Sequence, residues 1–307
     1  MKWFKWILLP LSLIFWFITE IRNQLYDFGI LKTKEFKIPI IGIGNISVGG
    51  TGKTPLSEYI ANILKEEYKI ALLSKGYGRK TQNFNYVHTN SNPTEVGDES
   101  LQTKRNFPDQ IVAVDHHRVN GVEKILSEHQ NIRAIILDDA FQHRSIKLGF
   151  NILLCDYNIP FYDDYIMPVG KLRESRKGIK RADCVMVTKC PQNLKKEEAE
   201  KIADKLNKKE IFFSTIKYEK VIAVFDSKKT FDLNKQSIIV VTGIANSDPL
   251  LHHLKQLNVK ANHLKYADHH NYKNADIKKI ITAFKSDINN EIILTTEKDA
   301  QKLKEYD

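Results

Sequence analysis

Residues 38–54 read Ile-Pro-Ile-Ile-Gly-Ile-Gly-Asn-Ile-Ser-Val-Gly-Gly-Thr-Gly-Lys-Thr, an apolar run leading into a glycine-rich segment that ends in Gly-Lys-Thr. An amphipathic stretch with Leu56, Ile60, Ile63 and Leu64 follows at helical spacing. Strand, loop and helix in that order fold in few ways, and the loop predicts a triphosphate site. Glycines let successive backbone N–H groups turn toward a polyphosphate, a lysine reaches its terminal phosphates, and a threonine hydroxyl at the helix start can ligate Mg²⁺. The residues expected to form that cradle are Ser47, Val48, Gly49, Gly50, Thr51, Gly52, Lys53 and Thr54. Ser47 replaces the first glycine of the general pattern, and the three remaining loop glycines keep the turn permissive. Gly42-Ile-Gly44 also resembles the opening of a dinucleotide fingerprint, but Ser47 stands at its last glycine position.

At 307 residues, 42% hydrophobic and 27% charged, the chain has material for two packed domains and is not disordered. Cys155, Cys184 and Cys190 form no C-x-x-C pair, which points to buried thiols rather than a disulfide scaffold or a zinc site. The histidine pairs 116–117, 252–253 and 269–270 lack spaced cysteine or carboxylate companions, so zinc is not expected. A formal charge of +10 calls for an anionic partner. No alternation of basic and aromatic residues of the kind that stacks bases accompanies it, so nucleic acid is not expected.

The N-terminus selects a different surface. From Trp6 to Thr19 the chain is uncharged, with Trp3, Trp6 and Trp16 suited to a headgroup interface and Lys2, Lys5 and Arg22 flanking. A helix over 6–19 reaches about 21 Å at ~1.5 Å per residue, short of a hydrocarbon core of roughly 30 Å, and Pro10 lies inside it. The expectation is a monotopic anchor on the phospholipids of a cytoplasmic face, with a single tilted span, or an N-terminal helix buried on the protein itself, as the alternatives.

Apolar runs at 40–43, 70–73, 111–114, 134–137, 152–155 and 184–187 alternate with amphipathic stretches, which predicts an α/β fold with a parallel sheet covered on both faces. The expected organisation is an N-terminal membrane-associated helix over 1–30 and a phosphate-loop core over 31–210. A connecting hairpin over 211–235, made of strands 211–215 and 221–225, leads to a smaller α/β domain over 236–307. In that last domain, strands are expected at 238–242 and 291–294 and helices at 249–257 and 275–284.

Asp138 and Asp139 close an apolar strand, the position from which a phosphate-loop protein holds Mg²⁺ opposite the loop threonine. Gln142 and His143 follow at the same sheet edge. Asp98, after Gly97, reads as a helix cap, and His269 in Asp268-His-His270 as part of a base. Arg79 and Arg118 follow predicted strands on the loop's edge, where they can meet phosphate, and Lys171 and Arg173 belong to a cationic segment over 168–181 that reads either as a solvated basic surface or as a dock for a phosphorylated lipid.

Taken in order, Val48 to Pro55, Ser74 to Arg79, Gly97-Asp-Glu99, Asp138 to His143, Pro168 to Glu174, Thr242 to Asn246, Asp268-His269 and Thr295 to Asp299 resemble the motifs of the tetraacyldisaccharide 4'-kinases, the lipid A 4'-kinases of Gram-negative bacteria. The resemblance runs over essentially the whole chain. It implies an ATP- and Mg²⁺-dependent kinase that phosphorylates the 4'-hydroxyl of a tetraacylated glucosamine disaccharide 1-phosphate at the inner leaflet of the inner membrane, with no obligate protein partner. It further implies phosphate and metal binding by Lys53 and Thr54, an acidic metal pair in Asp138 and Asp139, and activation of the acceptor hydroxyl by Asp98 with His269. The last two would come from different domains that close around ATP. Ala140 replaces the glycine usual in the family, His116-His117 replaces a more usual arginine, and the family typically continues past the position of Asp307. The competing reading is a membrane-associated nucleotide-driven switch or metal-insertion GTPase acting on a protein. It lacks an Asn-Lys-x-Asp guanine reader, since Thr188-Lys-Cys190 falls at the expected place without the acid. A scaffold that merely retains nucleotide is the non-enzymatic reading.

Overall fold

The computed structural model describes residues 7–226, 228–233, 237–287 and 290–306. The chain divides into two compact units. The first comprises the described residues through Lys75, together with 82–87 and 107–216; the second takes 76–81, 88–106 and 217 onward.

In the first unit, strands β1 (Ile40–Asn45), β2 (Ile70–Ser74), β3 (Asn85–Tyr86), β4 (Ile111–Val114), β5 (Ala134–Asp138), β6 (Phe150–Asp156), β7 (Cys184–Cys190) and β8 (Ile211–Thr215) form one sheet. Their order is β3-β4-β2-β5-β1-β6-β7-β8. All neighbours are parallel except β3, which runs antiparallel to β4. Runs of consecutive buried residues, such as Asn151 to Asp156, require cover on both faces. Helices α1 (Leu9–Asp27), α2 (Lys53–Leu64), α5 (Arg118–Glu128) and α6 (Lys196–Leu206) belong to this unit. Strand order reverses at β1, which lies between β5 and β6, so the loops after β1 and β5 leave the sheet side by side. Ligands of open α/β sheets bind at such a switch point.

Strand β8 corrects one expectation. It does not turn back on 221–225 but joins β7 in parallel register, Val185 beside Ile211, after the crossover helix α6. Its apolar Ile211, Phe212 and Phe213 extend the large sheet, and the ribbon that follows is β9 (Val221–Ile222) with β10 (Thr230–Phe231).

The second unit holds a parallel three-stranded sheet, β12 (Lys260–Lys265), β11 (Ser237–Thr242) and β13 (Asn290–Thr295), with β11 central and buried. Around it lie α7 (Asp248–Gln256), α8 (Asn274–Lys285) and α9 (Glu297–Leu303). The short α3 (Pro93–Val96) and α4 (Asp98–Asn106) belong here too, although their sequence lies between β3 and β4. Helix α4 packs on α9.

Helix α1 inverts the usual pattern of a surface helix. Its one buried side chain is Ser12, whose hydroxyl donates to the Ile166 carbonyl at 2.9 Å and accepts from the Val169 amide at 3.1 Å. Leu11, Leu13, Ile14, Phe17 and Ile18 are all more than half exposed. Among the described residues no helix is long and apolar enough to cross a membrane, so the single-span alternative has no support there. Trp3, Trp6, Lys2 and Lys5 lie outside the described residues.

Candidate functional site

Strand β1 delivers the chain into the glycine loop, and α2 begins at Lys53 directly after it. Gly49 and Gly52 adopt φ of 118° and 92°, which admits the tight turn without a side chain in the way. The loop is braced from several sides. Asn45 donates its side-chain amide to the Thr51 hydroxyl at 2.8 Å, Thr188 donates to the Thr51 carbonyl at 2.8 Å, and the Val48 amide donates to the Lys171 carbonyl at 2.8 Å. Lys189 reaches the Gly50 carbonyl and pairs with Asp156 at 2.6 Å. Thr188 and Lys189 therefore buttress the glycine loop, a role the sequence reading did not give them.

The acidic pair arrives on the neighbouring strand, since Ile43 of β1 is in register with Asp138 of β5. The Thr54 hydroxyl donates to Asp138 Oδ2 at 3.1 Å. Asp139, at φ 50°, turns the next carboxylate toward Lys53 Nζ at 3.6 Å and Arg173 Nη1 at 3.1 and 3.2 Å. Burial pushes the Asp139 carboxyl upward, and the charges of Lys53, Arg173 and Arg118 more than reverse this, leaving it below its ordinary value. A hydroxyl and two carboxylates beside a lysine form the hard-oxygen set that suits Mg²⁺ and the positive field that suits a polyphosphate.

Other expected site residues serve the frame. Arg118 is 2% exposed and donates to the carbonyls of Asp115 and Asp138, so it braces the two strand ends from within rather than facing an incoming phosphate. Gln142 donates to the Asn45 carbonyl at 2.9 Å and to Glu174 at 2.8 Å. Buried Glu174 also accepts from Arg181 at 2.8 Å and from Asn23 of α1 at 3.1 Å. Burial and the nearby Arg118 charge pull His143 down to about 4, so its imidazole is neutral at pH 7. Lys171 is exposed, and Arg173 faces Asp139. All three cysteines are buried and free.

The second unit brings together residues 171 positions apart. Asp98 opens α4 and is almost wholly buried, and His269, at φ 57°, directs Nδ1 at both its oxygens at 3.1 and 3.2 Å. Asp98 Oδ1 accepts from the Glu99 amide at 2.9 Å. Lys302 of α9 approaches Oδ2 at 2.9 Å. Burial pushes the Asp98 carboxyl upward, but hydrogen bonds from His269 and Lys302 and their charges hold it well below the usual carboxylate range. The Tyr77 ring lies 4.6 Å from the imidazole. Asp98 and His269, expected from different domains, thus both belong to the second unit. Arg79, in the same unit, donates to the Thr81 hydroxyl at 3.2 Å.

These two constellations coincide with a shared ancestry. The family model of the tetraacyldisaccharide-1-P 4'-kinases (LpxK) matches residues 4–307. The tetraacyldisaccharide 4'-kinase of Flavobacterium johnsoniae is 43% identical over 303 residues, covering 97% of this chain and 87% of its own. That of Bacteroides thetaiotaomicron is 40% identical over 315 residues, covering 97% and 83%. Among solved structures, the apo form of LpxK from Aquifex aeolicus in complex with ATP superposes with a TM-score of 0.78 at 30% identity, covering 99% of this chain and 91% of that one. By sequence over its full described length and by fold, the chain belongs to the tetraacyldisaccharide-1-P 4'-kinase family.

Proposed function

We propose that this protein transfers the γ-phosphoryl group of ATP to the 4'-hydroxyl of a tetraacylated glucosamine disaccharide 1-phosphate, a step of lipid A biosynthesis. The observation that carries this reading is the pairing of Thr54 with Asp138 and of Lys53 with Asp139 at the sheet's switch point. Phosphoryl transfer asks for alignment and charge neutralisation more than covalent chemistry, and those groups supply both. Lys53, with the amides of 47–54, holds the polyphosphate. Thr54, Asp138 and Asp139 are the residues that would hold Mg²⁺, which when bound neutralises phosphate charge. Asp98 and His269 accept the acceptor's proton.

Helix α1 supports a location at the membrane, where such a substrate resides. Each buried CH₂ holds a lipid in its bilayer by about 0.8 kcal/mol, so a four-chain acceptor stays there and the kinase must come to it. A helix seated on the protein through Ser12 and exposing its aliphatic and aromatic residues suits one leaflet of the inner membrane from the cytoplasmic side, and the net charge of +10 favours anionic phospholipids. Transfer of radiolabel from ATP to the acylated disaccharide 1-phosphate presented in mixed micelles tests the reaction. Acceptor-independent hydrolysis alone would favour the switch.

A further inference from the structure

The reading of Asp98 and His269 as the proton-accepting pair leaves two largely enclosed cations unexplained. Lys298 and Lys302 stand one turn apart on α9, and both side chains turn inward, 16% and 11% exposed. A lysine normally keeps its ammonium in water, so two on one face directed at the same imidazole and carboxylate call for a reason.

Their donors can be counted. Lys298 Nζ lies 3.1 Å from Glu99 Oε1, 3.2 Å from Asp268 Oδ1 and 3.0 Å from His269 Nε2. An ammonium has three N–H groups and no lone pair, so these three contacts use all of its donors, and Nε2 must be the acceptor. The proton of the neutral ring then sits on Nδ1, which donates to Asp98. Lys298 stays charged because Glu99, Asp98 and Asp268 together outweigh its burial and raise its pKa. Lys302 balances the charge of the buried Asp98 carboxylate at Oδ2, the oxygen that Nδ1 also meets at 3.1 Å.

Resting on that reading of the pair, we propose that Lys298 and Lys302 are positioning residues for acceptor activation: Lys302 fixes the Asp98 carboxylate, and Lys298 holds His269 as the Nδ1–H tautomer with Nε2 unprotonated until the acceptor hydroxyl replaces it there. Glu99 and Asp268 retain the displaced ammonium. The hydroxyl proton passes to Nε2 as the hydroxyl oxygen bonds to the γ-phosphorus and the bond to the ADP oxygen breaks, and Asp98 stabilises the resulting imidazolium. Charged or titratable groups facing the ring are Asp98 and Glu99 from α4, Asp268 beside it, Lys298 and Lys302 from α9, and the Tyr77 phenol.

The test is the pH dependence of kcat/KM for transfer from ATP to the acylated disaccharide 1-phosphate. Removing a cation from beside the ring lets it hold a proton more readily, so Lys298→Met moves the acid limb to higher pH by on the order of one unit, and Lys298→Gln, a neutral donor, does the same. Lys302→Met lowers kcat by on the order of tenfold or more with KM for ATP unchanged, and Lys302→Arg restores part of it. Superimposable pH profiles for the Lys298 variants, or an unchanged kcat in Lys302→Met, would overturn the proposal. Nitrogen-15 spectra of the intact wild-type protein labelled at histidine give an answer independent of any variant: a protonated Nδ1 with an unprotonated Nε2 supports it, and the reverse tautomer contradicts it. If His269→Ala keeps wild-type transfer, the reading of the pair fails; if that variant is dead while the lysine variants behave as wild type, the lysine proposal alone fails.

Discussion

On the proposed function, replacing Asp139 by asparagine separates two jobs of this carboxylate. Without nucleotide it occupies Lys53 at 3.6 Å and Arg173 at 3.1 Å, the cations a triphosphate needs. Unit charges 3.6 Å apart attract by about 4–5 kcal/mol at an effective dielectric constant of 20. The Asp139 side chain is 37% exposed, and solvent screening reduces its hold on Lys53 to about 1–2 kcal/mol. An incoming metal-free ATP must displace that interaction, so Asp139→Asn binds ATP in EDTA about 5- to 30-fold more tightly than wild type. The gain shrinks as salt rises, because both partners are partly exposed. Transfer in Mg²⁺ moves the other way, with kcat falling by on the order of 10²-fold or more, since a carboxylate for the cation is lost. Calorimetric titration at matched ionic strength, with and without Mg²⁺, reads the first quantity, and radiolabel transfer reads the second. Equal or weaker binding of metal-free ATP by a variant that melts like wild type would show that Asp139 does not compete with the nucleotide for Lys53.

Three further outcomes follow from particular contacts. Gly44→Ala places a Cβ 2.7 Å from both the amide nitrogen and the Cβ of Phe141, where backbone cannot yield, and lowers unfolding stability by about 1–3 kcal/mol in urea melts; a loss under 0.5 kcal/mol would mean the β1–β5 edge relaxes freely. Ile14→Glu with Phe17→Glu removes two exposed apolar side chains from α1 and reduces sedimentation with anionic vesicles by at least about tenfold while ATP affinity stays the same; unchanged sedimentation would remove α1 from the membrane contact. Asp98 has a depressed pKa when folded, so its stabilising share is full above its unfolded value of about 3.9 and is lost as pH falls below that toward the folded value. The melting temperature of wild type therefore drops more steeply than that of Asp98→Asn below about pH 4, and parallel curves in scanning calorimetry would contradict the ion pair.

The central strands were legible because a sheet covered on both faces demands unbroken apolar runs, and those at Ile40, Ile70, Ile111, Ala134, Ile152 and Cys184 all became strands. Strand β12 was not, since Lys260 to Lys265 lies at an exposed edge and carries no such run. Helix α9, seven residues long, is too short for helical periodicity to announce it. The glycine turn between β1 and α2 could be read because its residues are contiguous in sequence. The pairing of Asp98 with His269 came from resemblance, and the assignment of both to one unit rests on α4 packing against α9, a tertiary fact with no local signature. Arg118 looked like a phosphate ligand because a sequence does not reveal which way a guanidinium turns. Lys298 and Lys302 were hidden for the converse reason, since charged residues four apart on a helix ordinarily mark its wet side.

The central claim is tested most directly by giving the purified full-length protein γ-labelled ATP, Mg²⁺ and the tetraacylated disaccharide 1-phosphate in micelles, and locating the label. The account predicts a product phosphorylated at the 4' position whose formation requires the acceptor and is lost in Lys53→Met. Label appearing only as inorganic phosphate, at a rate indifferent to the acceptor, would contradict it.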